Sequence, residues 1–114
     1  MHEVGFANAI VESVLHEMQV RNLPTVCSIA VKVGKLTDVD PEALSFGFDI
    51  LSRDTRLAGT KLDIHRVPVC GMCESCATDF EVEDYHFVCP HCDSRKVKLT
   101  SGMELDIAYL EVPE

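Results

Sequence analysis

The chain has 114 residues, enough for one domain or for one small domain carrying a smaller insert. Its 46% hydrophobic and 25% charged content is a globular balance and excludes a disordered chain. Ten Lys and Arg against nineteen Asp and Glu leave a formal charge of -9. That surface repels phosphate backbones, so general nucleic-acid binding is disfavoured and cations or basic partner surfaces fit better.

The first predicted element is a helix from Glu3 to Gln19. Phe6, Ile10, Val14 and Met18 recur every fourth residue, and Val11 and Leu15 widen the stripe. Asn22 and Pro24 end it. Thr25–Val33 alternates as a half-buried strand, with Cys27, Ile29, Val31 and Val33 on its apolar face; Cys27 reads as core. Asp40, Pro41 and Glu42 supply an N-cap, an N1 proline and an acidic first turn. The second helix runs to Ser52, with Leu44, Phe48 and Leu51 on one face and Phe46 and Ile50 beside it. Gly59-Thr60 turns into a strand over Lys61–Val67.

Composition changes at Pro68. Residues 68–94 hold five of the six cysteines and few core side chains: Phe80, Val82, Tyr85, Phe87 and Val88. So thin a core cannot offset the conformational entropy of the segment, and something else must hold it. Residues 95–114 read as a return to the first sheet, with strand-like sequence over Glu104–Val112. The expected fold is therefore α+β: a small mixed β-sheet packed with two helices, plus an inserted four-cysteine zinc-ribbon-like domain.

The insert carries Cys73-x-x-Cys76, twelve residues, then Cys89-x-x-Cys92. Each pair supplies two thiolates to one side of a tetrahedron, and a hairpin between them brings the pairs face to face. Zinc takes four thiolates at about 2.3 Å, and such a closed site is structural. Its binding energy would fold the segment. A redox CxxC opens a helix, and neither pair is followed by a helical stripe. Cys70 forms a second CxxC with Cys73 and is open to three roles: replacement ligand, reactive thiol or bystander. Ala77 and Asp93 stand where a zinc knuckle often uses glycine for a positive φ.

Met1-His2-Glu3 offers a second metal chemistry. The α-amine, the His2 peptide nitrogen and imidazole, and the Glu3 amide place four nitrogens within reach of one ion. That square-planar set suits Ni(II) or Cu(II) over Zn(II). The bulk of His2 is expected to protect Met1 from removal. The alternative is a plain helix entry in which Glu3 favours the helix dipole. His65, His86 and His91 read as surface residues, with His86 or His91 an additional donor if the insert folds back over the amino terminus. No basic region or apolar run follows Met1, so no export signal is expected. No apolar run approaches the roughly 18 residues of a membrane span.

The chain resembles the HypA/HybF family, nickel metallochaperones of nickel–iron hydrogenase maturation. The resemblance rests on the Met1-His2-Glu3 start, residues 34–44 (GKLTDVDPEAL), Phe46-Gly47-Phe48, residues 59–64 (GTKLDI), the two cysteine pairs and residues 101–105 (SGMEL). It implies a nickel-binding α/β domain over residues 1–67, completed by 95–114, and a zinc-binding domain over 68–94. Met1 (amine), His2 and Glu3 would hold Ni2+ as transported cargo. Cys73, Cys76, Cys89 and Cys92 would hold structural Zn2+. The implied partners are a HypB-like GTPase and the hydrogenase large-subunit precursor, with urease maturation proteins for some members and a homodimer left open; no nucleic acid or membrane is implied. The expected setting is cytoplasmic. No nucleophile–base pair or phosphate loop is visible, so no enzyme is expected. The competing reading is a zinc-ribbon interaction or nucleic-acid-binding module, supported by Arg95, Lys96 and Lys98.

Overall fold

The computed structural model describes residues 2–114, the side chain of His2 excepted. Its elements are α1 (His2–Val20), β1 (Ser28–Gly34), a 3-10 turn (Lys35–Thr37), α2 (Pro41–Ser52), β2 (Lys61–Val67), β3 (Cys70–Cys73), β4 (Asp79–Glu81), β5 (Val97–Ser101) and β6 (Leu105–Glu111). The strands form two three-stranded sheets, ordered β2-β1-β6 and β4-β3-β5. No helix among the described residues is long and apolar enough to cross a membrane.

The chain divides into two compact units. The first comprises the chain through Lys32, Val39–His65 and Asp106–Glu114. Here α1 buries Ala7, Ile10, Val11, Val14 and Met18, and α2 buries Leu44, Gly47 and Phe48. Both are i, i+3, i+4 stripes, and the helices pack on each other with Ala7 close to Gly47. Phe46 and Ile50 are exposed, not part of the buried face, because each lies roughly half a turn from the Leu44–Phe48 row.

The start of α2 is as expected. Asp40 Oδ1 accepts from the Glu42 N–H at 3.0 Å, the Asp40 carbonyl accepts from the Leu44 N–H at 2.9 Å, and Pro41 occupies the first turn.

Strand β1 departs from the half-buried expectation: every residue except Lys32 is buried. It is the central strand, so neighbours on both sides cover it, and small Ser28 and Ala30 on its second face need little cover. Cys27 is exposed, which corrects its reading as core. It lies just before the strand begins, its N–H donating to the Glu111 carbonyl at 2.7 Å and its carbonyl accepting from the Lys61 N–H at 3.1 Å. Those bonds place β2 parallel to β1, since both strands start there, and β6 antiparallel, making the sheet mixed.

The second unit comprises Val33–Asp38 and Arg66–Leu105. It reaches past Ser94 because β5 pairs with β3, from Cys70↔Ser101 to Cys73↔Val97, with an irregularity between Cys70 and Gly71. Of residues 95–114, only β6 belongs to the first sheet. Residues 33–38 belong here as well: the Gly34 N–H donates to the Glu104 carbonyl at 2.7 Å, and the Leu36 N–H to the Gly102 carbonyl at 2.9 Å.

A Cβ on Gly34 would overlap the Gly102 carbonyl, and backbone cannot step aside as a flexible side chain can. Gly34→Ala should therefore cost about 3 kcal/mol, read as a lower midpoint of urea unfolding for the metal-loaded protein.

Candidate metal centre

Cys73, Cys76, Cys89 and Cys92 converge in the second unit, with all four sulfurs within 4.8 Å of one another. Cys73 closes β3, and β5 begins five residues after Cys92, so one sheet anchors both ends of the motif.

The two cysteine pairs fold as near-copies. In the first, the Ala77 N–H donates to the Cys73 carbonyl at 2.8 Å and the Cys73 N–H to the Thr78 carbonyl at 2.9 Å. In the second, the Asp93 N–H donates to the Cys89 carbonyl and the Cys89 N–H to the Ser94 carbonyl, both at 2.9 Å. Amides also point at sulfur: those of Ser75 and Cys76 at Cys73 Sγ, and that of His91 at Cys89 Sγ, all at 3.4 Å. Ala77 and Asp93 adopt φ of 64° and 61°, the positive region the glycine-like positions call for. The closing turn fixes that geometry whichever residue occupies it.

Hydroxyl partners went unread in the sequence. Thr78 Oγ1 lies 3.1 Å from Cys76 Sγ, and Ser75 and Ser94 pair across the two turns at 2.9 Å. Their signal is a longer repeat, C-x-x-C-x-Thr and C-x-x-C-x-Ser, that extends two residues beyond each cysteine pair.

The donor set fits a tetrahedral thiolate ion. Four ligands at about 2.3 Å imply sulfur separations of about 3.8 Å. Cys73–Cys92 and Cys76–Cys89 approach to 3.5 and 3.6 Å. Charge points the same way. Burial would raise the Cys73 thiol, but the Cys76 and Ser75 amides, together with the Cys92 and Cys76 thiols, outweigh it and hold it down to about 6. The Thr78 hydroxyl and amide lower Cys76. The Ser94 amide would lower Cys92 too, yet its crowded sulfur neighbours, Cys73 foremost, push it up to about 12. Without a cation the cluster cannot ionise fully; with one, the last proton leaves.

Among the described residues, no other candidate side chain joins the four sulfurs. Cys70 lies on β3, half-buried, paired with Glu81 and Ser101. His91 and His86 are exposed. On β2, His65 Nε2 meets Asp63 Oδ2 at 2.9 Å, and its ring sits edge-on to Tyr109 with centroids 6.4 Å apart. Of the amino-terminal triad, Met1 and the His2 side chain lie outside the described residues. The Glu3 carboxylate accepts from the Asp40 N–H at 3.0 Å, the main reason its pKa falls below the usual value.

Ala77 bears a Cβ in a backbone region that disfavours one. Ala77→Gly should stabilise the zinc-loaded protein by about 1 kcal/mol. Asp93→Gly should gain less, because Asp tolerates that region; thermal midpoints at fixed zinc concentration compare the two.

A family described as "Hydrogenase/urease nickel incorporation, metallochaperone, hypA" matches residues 1–112. The chain is 40% identical over 116 residues to the hydrogenase maturation factor HypA of Desulfosudis oleivorans, covering all of both chains. It is 35% identical to the HypA of Desulfatibacillum aliphaticivorans, covering all of this chain and 88% of that one. The fold is similar to a solution structure of a HypA protein, with TM-score 0.75 at 21% identity over 99% of this chain and 97% of that one. It also resembles the solution structure of the nickel metallochaperone HypA from Helicobacter pylori, with TM-score 0.57 at 21% identity over 92% and 95% of the two chains. With its family match running almost from end to end, the chain belongs to the HypA family of metallochaperones.

Proposed function

We propose that this protein carries Ni(II) at its amino terminus for insertion into a hydrogenase, while Cys73, Cys76, Cys89 and Cys92 hold a structural Zn(II). The observation that carries this reading is the family match, which starts at residue 1 and so includes Met1-His2-Glu3. The nickel ligands are the Met1 amine, the His2 amide and imidazole nitrogens, and the Glu3 amide nitrogen.

Two features support this set. Helix α1 begins at His2, which places the His2 and Glu3 backbone nitrogens in its first turn, adjacent in the chain to the Met1 amine. Deprotonating both gives two negative charges, which balance Ni(II) beside a neutral amine and imidazole. The Glu3 carboxylate is engaged by Asp40, so Glu3 contributes through its backbone and its side chain anchors the start of α1 to the start of α2.

A square plane of nitrogens selects against zinc, which prefers a tetrahedron; copper is kept out by availability. Release follows protonation. Both the amine and the imidazole must lose a proton to bind the ion, so affinity falls as pH drops. Donor and acceptor partners are a HypB-like GTPase and the hydrogenase large-subunit precursor, with urease maturation as a second destination, in the cytoplasm where thiols stay reduced. The zinc centre, with four protein ligands and no open position, holds the second unit together and does no chemistry on the cargo.

Nickel titration of protein with a free Met1 amine, beside His2→Ala and a copy extended by a few residues, tests the reading. The parent should bind one Ni(II) with a square-planar absorption band. Both variants should lose it while retaining zinc and the fold. Equal nickel binding in all three would sink the amino-terminal site.

A further inference from the structure

A cavity of about 380 Å³ opens in the second unit, away from the cysteine cluster. Leu36, Val69, Val82 and Phe87 supply its apolar lining; Glu81, Glu83, Asp84, Tyr85 and Lys35 supply the rest. Val69 and Val82 are buried, and the Val82 N–H bonded to the Val69 carbonyl at 2.7 Å fixes them together. The Leu36 N–H bonded to the Gly102 carbonyl holds a third wall. The cavity is thus built by backbone pairing.

Its chemistry is one-sided. Three carboxylates face one ammonium, and none of Glu81, Glu83 and Asp84 has an ion-pair partner among the described residues. Tyr85 is 66% exposed at the same cavity. Asp84 and Tyr85 both take positive φ, 52° and 59°, in a turn closed by the His86 N–H to the Glu83 carbonyl at 2.9 Å. A large aromatic held out in water beside unpaired carboxylates and an apolar floor is not explained by folding.

We propose that this cavity is a socket for an arginine side chain presented by a basic surface of a partner protein. An arginine has the matching parts. Its aliphatic stem covers apolar lining, its planar guanidinium offers paired donors to carboxylates, and an aromatic face such as that of Tyr85 attracts the cation. A chain of charge -9 also favours encounter with a basic surface over one of its own kind. A second copy presenting Arg95, Lys96 or Lys98 is the competing occupant. The socket is independent of the nickel site, and its test uses no nickel.

The test is an amide NMR titration of the zinc-loaded, full-length protein with tetra-arginine amide at low ionic strength. Saturable shifts should concentrate at Leu36, Val82, Tyr85 and Phe87. The double variant Glu81→Gln/Glu83→Gln should weaken binding about 10-fold, and Tyr85→Ala about 3-fold. Glu12→Gln/Glu42→Gln, with the same change in net charge at other exposed positions, should stay within about 2-fold of the parent. A dispersed spectrum and retained zinc establish that each variant is folded. Equal weakening in the two double variants, shifts scattered over acidic residues elsewhere, or no saturable shift at all would overturn the socket. Self-association of the protein abolished by Glu81→Gln/Glu83→Gln would assign the cavity to a second copy and overturn the partner reading.

Discussion

Four thiols within 4.8 Å of one another cannot all be charged without a cation among them, and the second unit is built around that constraint. Its apolar complement is modest, with Val69, Val82, Cys73 and Cys89 among its few buried apolar side chains. Backbone amides do part of the work in advance by favouring the Cys73 thiolate, while the proton on Cys92 is left for the ion to displace. The same constraint explains why two non-glycine residues, Ala77 and Asp93, sit at positive φ. Each lies just after a cysteine pair, where the chain must reverse to keep both sulfurs on one point.

In the first unit, organisation depends on Asp40. Its side chain caps the Glu42 N–H, its carbonyl accepts from Leu44, and its own N–H donates to the Glu3 carboxylate. One residue thereby starts α2 and ties it to the first turn of α1. This is where the family's amino-terminal sequence meets the rest of its fold, and it gives Glu3 a structural role distinct from its backbone's proposed role in carrying nickel.

What the sequence made legible was what local pattern controls. Both helices, the N-cap at Asp40, strand Lys61–Val67 and the converging cysteine pairs all follow from periodicity, turn chemistry or spacing. The misread features depend on distant neighbours. Val97–Ser101 alternates apolar and polar residues over Val97, Lys98, Leu99 and Thr100, yet nothing local distinguishes pairing with β3 from a return to the first sheet. Cys27 shares the parity of Ile29 and Val31 but lies before the strand starts, so alternation predicted a burial that position denied. Phe46 and Ile50 are apolar enough for a core, yet helical geometry places them on the open side of α2. The hydroxyls around the sulfurs were missed because Thr and Ser beside a cysteine pair carry no signal until the repeat is read two residues further.

The short stitch between residues 33–38 and 102–104 bears on how this architecture can be inherited. The second unit is not a contiguous segment: it takes Gly34 from the end of β1 and Leu36 from the turn that follows, and bonds them to Glu104 and Gly102. A cysteine-bearing stretch spliced into another protein by recombination at its two ends would arrive without that strip, leaving the Gly102 and Glu104 carbonyls without those donors. Acquisition or loss of the metal-bearing unit as a cassette is therefore disfavoured.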